Sequence, residues 1–152
     1  MVPARIGSER LKYKNLRMLA GKPVISWAID AAKKAKIFDK IIVNSDEIIF
    51  KEIAKRHDVD FYLRPQILGS SITKSDEVVF DFLTHNKADI MVWVNPIAPL
   101  QSGSEIYKAI NFMIDNKLDT VITSKKESFH SLCDGIPINF KTDEKFAKTQ
   151  DL

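Results

Sequence analysis

At 152 residues, with 45% hydrophobic and 28% charged side chains, the chain has the balance of a globular domain large enough to bury a core. The uncharged runs fall far short of a membrane span, no signal pattern follows Met1, and the single cysteine, Cys133, excludes an internal disulfide framework and a Cys/His zinc cluster. The net charge of +3 is unevenly placed: residues 1–22 carry six basic groups against Glu9 alone, a local +5, while the remainder sums to −2.

In chain order, Met1 and Val2 read as the end of a first strand that runs into the basic segment "PARIGSERLKYKNLRMLAGKP". Gly7 permits an unusual backbone angle or a close approach to a ligand, and Ser8 and Asn15 supply short hydrogen-bonding groups. Arg5 offers a planar fork and Lys14 a mobile point charge to phosphate oxygens. A charge excess confined to one loop suits a compact polyanion such as a triphosphate; a solvated basic loop is the plainer alternative. The segment is neither a P-loop nor a GxGxxG turn, so P-loop hydrolysis and hydride transfer lose their main support.

"PVISWAIDAAKKAK" places Ile25, Ala28, Ile29 and Ala32 on one helical face. "KIIVNS" reads as a buried strand, and Asp46 as the cap of a helix beginning near Glu47 with Phe50, Ile53 and Ala54 on one stripe. "VDFYLRP" is a strand stopped by Pro65; the loop "QILGSSITK" leads to a helix at "SDEVVFDFLTHN". "DIMVWVNP", the most apolar run, is a strand, and Ser102 with Glu105 forms a capping box that opens a helix through Asn116. "DTVITSK" and, weakly, "GIPINF" are further strands. Strand and helix alternating at this spacing predict one α/β domain over 1–152, Rossmann-like and doubly wound, with a mostly parallel sheet and helices on both faces. Such sheets bind ligands beyond the carboxyl ends of their strands, where the basic loop falls. The short first strand and the unclosed "FAKTQDL" lead to the expectation that the domain is incomplete at both ends.

The ordered string "PARIGSERLKYKNLRMLAGKPVISWAIDAAKKA" resembles the opening of the acylneuraminate cytidylyltransferases, or CMP-sialic acid synthetases. The similarity continues through "FDKIIVNSDEIIFKEIAKRHDVDFYLRP", "LGSSITKSDEVV" and "VNPIAPLQSGSEI", reaching about Thr123. It implies a nucleotide-diphospho-sugar transferase fold and a reaction of CTP with an acidic nine-carbon nonulosonic sugar to give the CMP-sugar and pyrophosphate. It also implies Mg2+, a cytoplasmic location and a homodimer when full length. By the same resemblance Arg5, Ser8 and Lys14 contact the triphosphate, with Arg5 and Lys14 acting catalytically; Asn15 contacts the nucleotide; Arg64 and Ser75 hold the cytidine. The sugar-contacting positions fall on Asn95 and Gln101, where the family commonly has a glutamine and an arginine, and Ile97 and Ala98 replace two hydroxyl residues. These departures favour a sugar other than N-acetylneuraminate, KDO included. The family's magnesium-binding aspartates fall beyond residue 152, so no metal ligand is assigned, and a metal role for Asp46 is disfavoured.

Arg10 and Lys22 are further candidates for the site, whereas Lys12 and Arg17 face solvent. His57 and His85 are read as partners of helix-terminal carbonyls, not as bases. His130 and Cys133 carry no catalytic assignment, Asp89 and Asp119 belong to turns, and Trp27 and Trp93 pack in the core. Beside the enzyme stand two other readings: a nucleotide-binding or assembly module without turnover, and a basic surface for nucleic acid, which lacks interleaved aromatics.

Overall fold

The computed structural model describes residues 1–125 and 130–139. The chain divides into two compact units, Met1–Asp119 and Thr120–Leu152. The first begins with β1 (Val2–Ala4), followed by a hairpin of β2 (Met18–Leu19) and β3 (Lys22–Pro23), helix α1 (Val24–Ala35) and strand β4 (Ile42–Ser45). Helix α2 (Ile49–Arg56), strand β5 (Asp60–Leu63) and helices α3 (Ser75–His85) and α4 (Gly103–Asp115) complete it. In the second unit, the described residues form one antiparallel hairpin, β6 (Leu132–Cys133) with β7 (Ile136–Pro137).

The sheet is parallel, in the order β1-β4-β5, with Val2 opposite Val43 and Val43 opposite Phe61. Side-chain alternation assigns its two faces. Val2, Ala4 and Val43 point into one cluster with Ile25 and Ile29 of α1, Phe50 of α2, and Ile106 and Ile110 of α4. Met1 and Ile42 point the other way, to Phe82 of α3, with Tyr62 and Met91 against them. Helices thus cover both faces, and Ile42 and Val43 are buried because both faces of their strand are covered, with Ile41 partly buried beside them.

"DIMVWVNP" forms no ladder of its own. Instead the Met1 amino group donates to the Val92 carbonyl at 2.8 Å, and the Val94 N–H donates to the Met1 carbonyl at 3.0 Å. This single parallel link lies on the edge of β1 away from β4, and it cannot be extended through Pro3, which has no N–H. The chain therefore winds from β1 outward to β5 and returns through α3 to the other side of β1. Residues 119–125 carry no strand, contrary to the expectation for "DTVITSK"; their β-branched pattern finds no paired neighbour among the described residues. The closing "FAKTQDL" lies outside the described residues.

Two expected helix starts differ in outcome. Ser102 and Glu105 form the capping box in both directions, and a side chain on the adjacent Gly103 would collide with the backbone of Lys34 and Ala35, where α4 approaches α1. Asp46 does not cap α2. The helix starts at Ile49 without a side-chain cap, because the Asp46 carboxylate is turned inward to Arg64.

Candidate functional site: a cationic crevice at the strand ends

The carboxyl ends of β1 and β5, the opening loop, the start of α3 and the turn after residue 94 enclose one crevice within the first unit. Its wall contains Arg5, Ser8, Lys14, Asn15, Arg64, Ser75 and Asn95, seven of the eight residues to which the resemblance gives a substrate-contacting role. Gln101 is not part of that wall; its N–H closes a turn on the Ala98 carbonyl at 3.0 Å. Ser70, Ser71 and Thr73 add hydroxyls, while Leu68, Val78, Trp93, Pro96 and Ile97 add apolar surface. Three lining residues are cationic, and no Asp or Glu is among them.

The loop reaches this geometry by a different device from the one its glycine suggests. Gly7 has open space beside it and no left-handed backbone, whereas Tyr13 adopts φ 55° and turns the chain into a short 3-10 segment at Lys14–Leu16. That turn delivers Lys14 to the crevice and buries Asn15, which is 6% exposed. The Asn15 Nδ2 donates to the Arg5 carbonyl at 3.2 Å, tying the two ends of the loop together, while its Oδ1 has no hydrogen-bond partner among the described residues.

Arg64 is engaged mainly by the protein itself. It is 4% exposed, and its Nη1 donates to the Asn44 carbonyl at 2.9 Å and to Asn44 Oδ1 at 3.2 Å. Its Nη2 donates to the Ala4 carbonyl at 2.9 Å and to Asp46 Oδ1 at 3.3 Å. The guanidinium thus cross-links the ends of β1 and β4 under the crevice, and only its Nε lacks a partner among the described residues. Burial lowers its pKa, the charge of Asp46 opposes this, and the nearby positive charge of Arg5 adds to the lowering. The Asp46 carboxylate is engaged by Arg64, and among the described residues no Asp or Glu lines the crevice beside Arg5 and Lys14. Gly69 makes room for this arrangement, since a Cβ there would collide with the Asp46 carboxylate.

Arg10 and Lys22 do not line the crevice. Lys22 is drawn away by an ion pair with Asp30 and by the face of Trp27, whose centroid lies 3.9 Å from its Nζ. Lys12 and Arg17 are exposed, as expected. Trp27 is half-buried and supports the β2–β3 hairpin through Nε1 donating to the Leu19 carbonyl at 3.0 Å. Trp93 is the clear departure: it is exposed and lines the crevice, where its apolar sequence context pointed to the core. His57 also differs from expectation, for its ring meets Ser26 Oγ at 3.0 Å and Asp30 Oδ1 at 3.2 Å, fastening α2 to α1. His85 Nδ1 does lie 2.9 Å from a carbonyl of its own helix, that of Asp81. Cys133 is exposed and free.

Fold and crevice together define a doubly wound α/β protein with a cationic cleft at the point where the winding reverses. The chain belongs to the cytidylyltransferase family, whose model matches residues 1–135. An N-acylneuraminate cytidylyltransferase of Escherichia coli O18:K1:H7 is 32% identical over 111 residues, 72% of this chain and 26% of that protein. Another of the same name, from Streptococcus agalactiae serotype III, is 30% identical over 161 residues, covering 100% of this chain and 39% of that protein. A solved structure of CMP:2-keto-3-deoxy-manno-octonic acid synthetase complexed with CTP shares the fold, with a TM-score of 0.68 at 19% identity over 76% of this chain and 46% of that one. The chain thus spans from about a quarter to two fifths of the length of these two curated relatives.

Proposed function

We propose that this chain forms the CTP-binding part of a cytidylyltransferase that activates an acidic nonulosonic sugar, releasing pyrophosphate and a CMP-sugar. The observation that carries this reading is the crevice lined by Arg5, Lys14 and Arg64 without any carboxylate, at the strand ends of a chain in this family. In the reaction the anomeric hydroxyl of the sugar attacks the α-phosphorus and gives up its proton to solvent, while the bond from the α-phosphorus to the oxygen shared with the β-phosphorus breaks and pyrophosphate leaves. Charge then accumulates on the nonbridging and departing oxygens, where preorganised cations stabilise the transition state most. Arg5 and Lys14 supply that stabilisation, with Ser8 donating to the phosphates. Asn15 and Ser75 hold the nucleoside, and Arg64, already bonded to both strands, keeps the floor rigid. Asn95 faces the sugar acid; its Oδ1 accepts from the Ile97 N–H at 3.3 Å, which fixes the orientation of the amide. The shorter amide and the apolar Ile97 support a sugar that differs from N-acetylneuraminate, KDO being the alternative.

The Mg2+ that serves this reaction class supplies charge neutralisation on the triphosphate when bound. The described residues contain no cluster of three or more potential ligands, and the Asp46 carboxylate is engaged by Arg64, so these residues do not fit a magnesium site and no step is assigned through one. The second reading is a nucleotide-binding or assembly module that binds CTP without turnover even as the intact protein. No helix among the described residues is long and apolar enough to cross a membrane. A homodimer and a cytoplasmic location complete the proposal.

The test is pyrophosphate release from CTP by the intact protein, offered a panel of nonulosonic acids and KDO with Mg2+. Arg5→Ala and Lys14→Ala are each expected to lower kcat/KM for CTP by roughly 100- to 1,000-fold without loss of folding. Unchanged constants in both variants would remove the loop from the mechanism, and CTP binding without release for every sugar would select the second reading.

A further inference from the structure

Residues 91–94 alternate across the sheet: Met91 packs on the α3 face, while Val92 and Val94 pack on the α1 face. Trp93 therefore projects on the α3 face. There it has passed the end of the Phe82 cluster and meets the open crevice, at 37% exposure, beside Pro3, Ser75, Val78, Asn95 and Pro96. Its backbone is fixed on both sides, because the Met1 amino and carbonyl groups bond to residues 92 and 94. An indole is among the largest apolar side chains, and leaving over a third of it open to water forgoes burial that the core would have supplied. The same crevice is lined by apolar Trp93, Val78 and Leu68 and by cationic Arg5 and Lys14. Such a lining suits a ligand that joins a flat ring to phosphates.

We propose that Trp93 is a binding residue whose indole forms the wall against which the pyrimidine ring of CTP lies. This rests on the CTP reading above and adds the element that engages the base. Stacking on an aromatic face suits any nucleobase, so Trp93 supplies affinity, and selection of cytosine falls to the polar groups of the crevice.

The second tryptophan, Trp27, lies outside the crevice wall and is engaged by Leu19 and Lys22, so Trp27→Phe leaves Trp93 as sole reporter. In that background CTP and cytidine are expected to quench the emission, and inorganic triphosphate is not. By calorimetry Trp93→Leu, which keeps an apolar side chain but no ring, is expected to bind CTP roughly 5- to 150-fold more weakly, and Trp93→Phe to retain most of the affinity. With CTP binding to the parent chain intact, absence of quenching, equal quenching by triphosphate, or undiminished affinity of Trp93→Leu would each overturn the role of Trp93 and leave the CTP reading standing. Absence of CTP binding to the parent chain would overturn both.

Discussion

Asp46 and Arg64 form a buried ion pair whose parts have unequal consequences when removed. Without the Asp46 carboxylate, a guanidinium that is 4% exposed keeps its carbonyl contacts but loses its counter-charge. Asp46→Ala is expected to destabilise the fold by about 3 kcal/mol, at the low end for a broken buried pair because Asn44 and Ala4 still accept from Arg64. Equilibrium unfolding in urea measures it, and a loss indistinguishable from that of an exposed Asp→Ala change would show that the pair is not holding the strand ends. Gly69→Ala acts on the same pair from outside, since its Cβ would displace the carboxylate. It should lower CTP affinity as well as stability, because Arg64 forms part of the crevice wall.

Helices start, and one of them meets the sheet, through a few polar contacts whose chemistry can be read individually. At the start of α4 the Ser102 N–H and hydroxyl hold Glu105, and these bonds lower its pKa. Ser102→Ala is expected to cost about 1 kcal/mol in thermal unfolding, the usual value of such a cap. On the other face Tyr62 of β5 donates to Asp81 of α3 at 3.1 Å and meets His85 at 2.9 Å. Burial and the Asp81 carboxylate push the phenol from 10.0 up to about 12. A phenol raised in the folded state contributes stability that is complete below pH 10 and is lost as the pH climbs toward 12. Stability should therefore fall across that window in the parent, and Tyr62→Phe should flatten the fall; an unchanged slope would detach Tyr62 from α3.

For the molecule as a whole, the two apolar clusters hold the strand ends in register, and the crevice exists only because both faces of the sheet are covered. Phe50, fully buried from α2, has no polar substitute for its contacts. Phe50→Ala is expected to lose about 3–5 kcal/mol and to abolish nucleotide binding with it. Conversely, CTP at about a hundred times its dissociation constant should raise stability by about 2.7 kcal/mol, an increment that shrinks with added salt as the crevice charges are screened. A melting temperature that ignores CTP at all ionic strengths would contradict a site built from Arg5 and Lys14.

What the sequence determined alone was whatever depends on neighbours along the chain. The helical stripe of Ile25, Ala28, Ile29 and Ala32, the buried run at 42–43, the Ser102–Glu105 cap and the order of residues in the opening loop are all local patterns, and the structure follows them. Tertiary structure decided what depends on groups brought from a distance. Arg64 has partners because the ends of β1 and β4 converge on it from 60 and 20 residues away. Asp46 leaves its cap for the same reason, since a buried guanidinium rewards a counter-charge more than a helix start rewards a cap. Trp93 belongs to an apolar run whose alternation is legible, yet only the three-dimensional position of α3 reveals that its face ends in an open crevice. Local periodicity specifies which way a side chain points; what it meets there is set by the packing of elements far apart in the chain.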